Sequence, residues 1–281
     1  MATISSSRAA PSSDDRILTI TRWVSGVIVL FLVYAFLILY FIPDESGERF
    51  AWEMRLHMQA MFIGAGYLGG AYFFLRVMFG RRWHRVAAGF LPVTAFTIWM
   101  LALTVIEWDA FDHGHVPFQL WLILYVVTPF LVPWLWFNNR AQNIGHPEAN
   151  DMIVPVWVRR VVRVFGGLLT LAAILGIIRP SLLIDVWVWN LTPLAARVIS
   201  GWYALLGVSA LSSSREARWS SWRIGLESMA LWHILILLAA ALNPANFEGG
   251  TLLNWYIMGV VLLVGGMVAL YTWMEYRRLL L

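Results

Sequence analysis

The chain has 281 residues, 60% of them hydrophobic and 13% charged, with a formal net charge of +4 and a mean hydropathy of +0.71. Water-soluble domains carry nearer half apolar and a quarter charged residues, so the excess apolar surface faces lipid, and the disordered, collagenous and disulfide-rich secreted classes are excluded. Cysteine is absent and all 20 basic residues are arginine, which removes disulfides, thiolate metal sites, cysteine nucleophiles, a retinal Schiff base and any phosphate loop that needs lysine.

Residues 1–21 form a polar, Ser-rich leading segment. The apolar run Trp23–Ile42 exceeds a signal-peptide core and lacks a small-residue cleavage site, which predicts a retained helix. Further runs of spanning length follow at Leu56–Phe79, Ala87–Ile106, Phe118–Phe137, Val161–Ile178, Leu191–Leu211, Ile224–Leu242 and Leu252–Trp273. The expected fold is therefore all-α: a polytopic membrane protein of eight transmembrane helices. Pro92, Pro129 and Pro133 are expected to kink the third and fourth helices and free carbonyls that need new partners.

Sixteen of the twenty arginines fall on one side of this topology, leaving Arg49, Arg55, Arg179 and Arg197 on the other. Cytoplasmic segments keep the Arg/Lys excess, so both termini are expected in the cytoplasm and the protein in the cell (inner or plasma) membrane. The isoelectric point near 9.7 then reports an arginine collar beside anionic headgroups and not nucleic-acid binding. Tryptophans near span ends (Trp23, Trp52, Trp83, Trp108, Trp157, Trp187, Trp189) fit an interfacial aromatic belt.

Sliding the chain against itself by about 137 residues superposes two four-span units. Gly64 and Gly70 fall on Gly201 and Gly207, Trp52 falls on Trp189, and Phe111 through Gly114 falls, one residue out, on Phe247 through Gly250. An even number of spans per unit gives a parallel repeat, with residues 22–140 as the first unit, 141–160 as a cytoplasmic linker and hinge, and 161–281 as the second. Within the linker region, Pro155–Arg163 reads as an interfacial lead into the fifth span. The glycines of the second and sixth spans suit close helix contact, either where the two units meet or inside each unit.

Ionisable groups near the membrane are the first candidates for function. On the side away from the arginine collar, Glu53 and His57 lie four apart at the expected start of the second span and would share a face. Glu107, Asp109, Asp112, His113 and His115 follow the third span with no basic residue among them. Glu53, His57, Glu107, Asp109 and Arg197 are candidate ligand-binding residues, with Arg197 placed to pair with Glu53 or Glu107, hold an anion or snorkel. Asp112, His113 and His115 are candidate ligands for a divalent metal, although their spacing matches no helical metal motif. Glu227 is expected to pair with Arg223. His57 and His233 do not match in depth, so haem between helices is not expected.

The stretches Trp187–Arg197 and Gly64–Gly70 resemble segments of polytopic membrane proteins from bacteria rich in Arg over Lys. That resemblance spans about the whole chain and implies location but no activity. Two functional readings stand. The first is a non-enzymatic membrane protein, either a subunit of a larger assembly or homo-oligomer, or a lipid- or small-ligand-binding module with an outward polar pocket. The second is a metal-dependent enzyme or proton-coupled transporter built on the outer Glu/Asp/His set.

Overall fold

A computed structural model describes residues 14–143, 148, 150–247 and 249–280. Arg8, Glu248 and most of the leading segment therefore lie outside the described residues. Eight helices are long and apolar enough to cross a membrane: α1 (Thr19–Phe41), α2 (His57–Phe79), α3 (Ala87–Ile106), α4 (Val116–Asn139), α5 (Val156–Ile178), α6 (Pro193–Arg215), α7 (Ser220–Leu242) and α8 (Thr251–Leu279). The protein is a multi-pass helical membrane protein.

Half of the helix ends run past the apolar runs, because a helix continues through the headgroup region after hydrophobicity has fallen. The clearest case is α5, where the expected interfacial lead is already helix from Val156, with Pro155 ahead of its first turn. Residues 14–18, 80–86, 139–143, 148, 150–154 and 216–220 gather at one end of the bundle with the last turns of α8, as the contacts Leu18–Asn139, Trp83–Asp15, Val154–Ala217 and Trp219–Glu275 show. This is the arginine-rich end. The far end joins the other loops, for example through Met58 N–H to Asn246 Oδ1 (2.9 Å).

The helices pair in a pattern that recurs four helices on. α1 packs along α2 as α5 packs along α6; α3 lies on α4 as α7 lies on α8; and α2 crosses to α7 as α6 crosses to α3. The core follows from this arrangement: 61% of the spanning window of α2 and 56% of that of α6 is buried, against 17% for α5 and α8, which form the rim.

Glycines sit where helices come closest. Gly64 and Gly70 face Leu39, Tyr40 and Leu32 of α1, and Gly207 faces Gly166 and Thr170 of α5, so these pack inside their own halves. Gly69 faces Ser228 and Trp232 of α7, and Gly201 faces Trp99 and Met100 of α3, where the halves meet. Both proposed uses of the small residues therefore occur. A proline in a helix leaves the carbonyl four residues earlier without its N–H; for Pro92 that is Ala88, and the Ser212 hydroxyl of α6 lies 3.2 Å from it, shared with the Val208 carbonyl of its own helix.

The aromatic belt is only partly at the interface. Trp23 and Trp157 are 68% and 64% exposed, but Trp52, Trp83 and Trp189 are buried. Trp52 and Trp189 instead plug the far end of each half. Trp52 meets Phe50 at 5.0 Å and Phe111 at 6.0 Å between ring centres, and Trp189 meets Trp187 at 5.1 Å and Phe247 at 5.9 Å, all edge to face, the geometry favoured by the ring quadrupole.

A methyl group on Gly207 would stand 2.7 Å from the Thr170 backbone nitrogen, whereas one on Gly265 meets nothing within 4 Å. Gly207→Ala is expected to destabilise the α5–α6 pair by about 1–3 kcal/mol and Gly265→Ala to leave the melting temperature in detergent unchanged or raised.

Candidate functional site

The outer residues singled out from the sequence do not form one site. Glu53 is exposed and precedes α2 in non-helical chain, so it does not share a helix face with His57. His57 turns instead to Asp44, Nε2 to Oδ1 2.7 Å, at an exposed position. Asp109 is exposed in a short turn, and Asp112 accepts the Gly114 N–H (2.9 Å) to close its own loop. His113 stacks on Trp108 with ring centres 4.4 Å apart and donates from Nε2 to the Trp108 carbonyl; His115 donates from Nε2 to the Phe50 carbonyl at 3.2 Å. Each imidazole thus spends Nε2 on a loop carbonyl, and neither joins a group of three possible metal ligands among the described residues.

Glu107 and Arg197 are brought together. Arg197 Nη1 bonds Glu107 Oε1, its Nε donates to the Ile177 carbonyl at 3.0 Å, and the two side chains are 15% and 17% exposed. The pair ties α3 to α6 and α6 to α5 at the far end.

Sequence reasoning passed over a denser cluster at the arginine-rich end. Asp15 adopts a left-handed backbone (φ 55°) that Asp tolerates better than most residues. Its carbonyl accepts from Trp83 N–H (2.7 Å) and its carboxylate from His84, at the backbone N–H (2.9 Å) and at Nδ1 (2.5 Å). On the other face of the ring, Nε2 lies 2.9 Å from Glu148 Oε1 and 3.0 Å from Ser220 Oγ. His84 and Asp15 are buried, with side chains 0% and 2% exposed.

Asp15, His84 and Glu148 are the one three-ligand group of His and acidic residues among those described, with ligand atoms within 4.8 Å of one another. Arg85, however, grips both Glu148 oxygens as a fork at 2.9 and 2.6 Å, and Arg82 Nε stands 3.6 Å from Glu148. Two guanidinium groups already neutralise the carboxylate that a cation would need. The order Asp15–His84–Ser220 also mimics an acyl-transfer triad, but the Ser220 hydroxyl gives its proton to Asp151 (2.5 Å), so the serine is not activated by the histidine.

The cluster is a clasp. Glu148 and Asp151 belong to the linker, which also exchanges backbone bonds with the second half, Val154 N–H to Ala217 O and Trp219 N–H to Met152 O, both 2.8 Å. The described linker residues are thus fastened to both halves. A neighbouring network does the same for α8: Glu227 accepts from Tyr72 (2.5 Å), Arg76 (2.6 Å) and Tyr271 (2.9 Å), while Arg223 pairs with Glu275 (2.9 Å) instead of the expected Glu227.

Space for a ligand lies elsewhere, inside the membrane region. A cavity of about 100 Å³ is enclosed by α1–α4, α6 and α7 and walled by apolar residues such as Leu32, Phe73, Phe96 and Leu205. Four of its hydroxyls are bonded, Tyr67 and Tyr125 to each other (3.3 Å), Thr128 to the Leu124 carbonyl (2.7 Å) and Ser228 to the Gly69 carbonyl (2.7 Å), whereas the buried indole N–H groups of Trp202 and Trp232 on the same wall have no acceptor among the described residues. Phe31 on its wall is 43% exposed, so the cavity reaches the lipid-facing surface of α1. Gly225 also lines it, with nothing within 4 Å of where a side chain would begin.

Compared with protein-family models, curated proteins and solved structures, the chain finds no match, so the reading of its site rests on its own geometry.

Two outcomes follow. Burial alone would raise the Glu148 pKa, but the hydrogen-bonded Arg85, with His84 and Arg82 adding to it, holds the carboxyl below the ordinary value. A depressed carboxylate stabilises the fold above the unfolded-state pKa of about 4.3 and loses that contribution as pH falls through the lower folded value. Limited proteolysis is therefore expected to cut the linker only below about pH 4, and at higher pH in Arg85→Gln. A double-mutant cycle of Glu107→Gln with Arg197→Gln, read by unfolding in detergent, is expected to give a coupling of about 0.5–3 kcal/mol.

Proposed function

We propose that the protein is a non-enzymatic binding module of the cell membrane that holds an apolar or amphipathic molecule, in the simplest case a lipid chain, in the mid-membrane cavity. The observation that carries this reading is the cavity wall itself: mostly apolar side chains, four hydroxyls bonded to one another or to carbonyls, and two indole N–H groups, of Trp202 and Trp232, without an acceptor among the described residues. Apolar cavities stay dry and accept apolar guests, and an opening beside Phe31 admits a guest from the bilayer without passage through water. The arginine-rich end, with both termini, faces the cytoplasm on this reading, by the arginine bias of the loops.

The two halves descend from one duplicated four-helix unit. The recurrence of helix pairings four helices on, and the matched ring contacts of Trp52 and Trp189, support that reading beside the glycine register. The cavity takes four helices from the first half and two from the second, so it has no counterpart related by the repeat among the described residues. Chemistry on the outer Glu/Asp/His set is the weaker reading, because its residues form no three-ligand group among those described.

The test is extraction and mass analysis of molecules that stay with the protein purified in mild detergent. Wild type is expected to retain a lipid or other apolar molecule near one per chain, and Gly225→Leu, which fills the cavity without a clash, to lose at least about nine-tenths of it with its melting temperature preserved. An empty wild type, or full retention in Gly225→Leu, would overturn the proposal.

A further inference from the structure

A second cavity, about 170 Å³ in volume and lined by apolar and polar side chains together, lies at the arginine-rich end between the start of α3 and the ends of α4 and α6. One water needs roughly 10–15 Å³, so this space takes a polyatomic group. Arg140, at the end of α4, and Arg215, at the end of α6, both stand on its wall. Neither has a carboxylate partner among the described residues: Arg140 rests over the Phe137 and Trp136 rings at 4.8 and 5.9 Å, and the carboxylate on the wall, Glu216, is taken by Arg218 at 2.9 Å.

Trp83, only 1% exposed, forms another part of the wall. On the membrane side the wall passes to Ala87 and then Leu91, which is 39% exposed to the apolar surroundings. The cavity thus joins two exposed arginines without a carboxylate partner among the described residues at the level where the apolar belt ends.

We infer that this cavity binds a phosphate group. Guanidinium forks match phosphate oxygens in geometry as well as charge, and basic pockets between membrane helices at the headgroup level suit lipid phosphates. The phosphate arrives either on an anionic phospholipid whose chains lie along α3 or on a soluble ester from the aqueous side. This site is separate from the mid-membrane cavity and does not rest on the reading of it.

The test titrates the purified full chain in detergent with phosphatidylglycerol, with diacylglycerol and with inorganic phosphate, followed by native mass spectrometry and melting temperature. Saturable binding of phosphatidylglycerol or of phosphate, but not of diacylglycerol, is expected, weakened at least tenfold in Arg140→Gln/Arg215→Gln. Arg81→Gln/Arg277→Gln, which removes two exposed charges of the same end outside the cavity, is expected to bind as wild type does. Ala87→Phe, which occupies the cavity at constant charge, is expected to reproduce the loss. Binding of phosphatidylglycerol alone assigns the lipid as the source; comparable binding of inorganic phosphate assigns a soluble ester. Equal losses in the two arginine pairs, binding of diacylglycerol as tight as that of phosphatidylglycerol, or no saturable binding of either phosphate probe would overturn the inference.

Discussion

A polar group left without a partner in hydrocarbon costs several kcal/mol, and much of the joining of the two halves obeys that constraint, the buried indole N–H groups of Trp202 and Trp232 being exceptions. The Ser228 hydroxyl reaches the Gly69 carbonyl across the α2–α7 crossing, the Tyr40 hydroxyl reaches the Leu235 carbonyl at 3.0 Å, and the Trp99 indole N–H reaches Ser200 Oγ at 2.9 Å. Such bonds need close backbones, which is why glycine stands at positions 69 and 201. Apolar side chains gain little by exchanging lipid for protein, so shape and these few bonds hold the centre while the rim helices α5 and α8 stay in lipid.

Charge is then sorted to the ends. At the far end Arg197 and Glu107 neutralise each other where three helices converge. At the other end the clasp around His84 and the network around Glu227 hold the linker and α8. The two cavities differ accordingly: one is mid-membrane and mostly apolar, the other lies at the arginine-rich end with Arg140 and Arg215 on its wall.

Much of the architecture was legible in the sequence because lipid imposes a length: eight runs near 20 apolar residues have no other use, and α3 begins and ends where its apolar run does. Glu107 and Arg197 were legible as polar groups on one side of the bilayer, although their pairing needed the α3–α6 crossing. The cluster at Asp15, His84 and Glu148 was not, since its members are more than sixty residues apart, and a histidine among arginines reads as one more loop residue. Trp83 and Trp189 were misplaced for a related reason: a tryptophan at a span end is the same in sequence whether it turns to the headgroups or into the bundle. Glu53 was expected to share the start of the second span with His57, but the helix begins only at His57, which removes the shared face.

The length of α8 has a consequence of its own. Twenty-nine residues extend to about 44 Å at 1.5 Å each, well past a hydrocarbon core of about 30 Å; its last turns are fastened by polar bonds, through Glu275 to Trp219 and Arg223, and its start by the packing of Tyr256 on Trp187 and Trp189. A rod overlong for its surroundings leans as the lamella thins and straightens as it thickens. Bilayer thickness is therefore felt first by α8, and the torque it exerts is delivered at Trp219, beside the segment that joins the two halves.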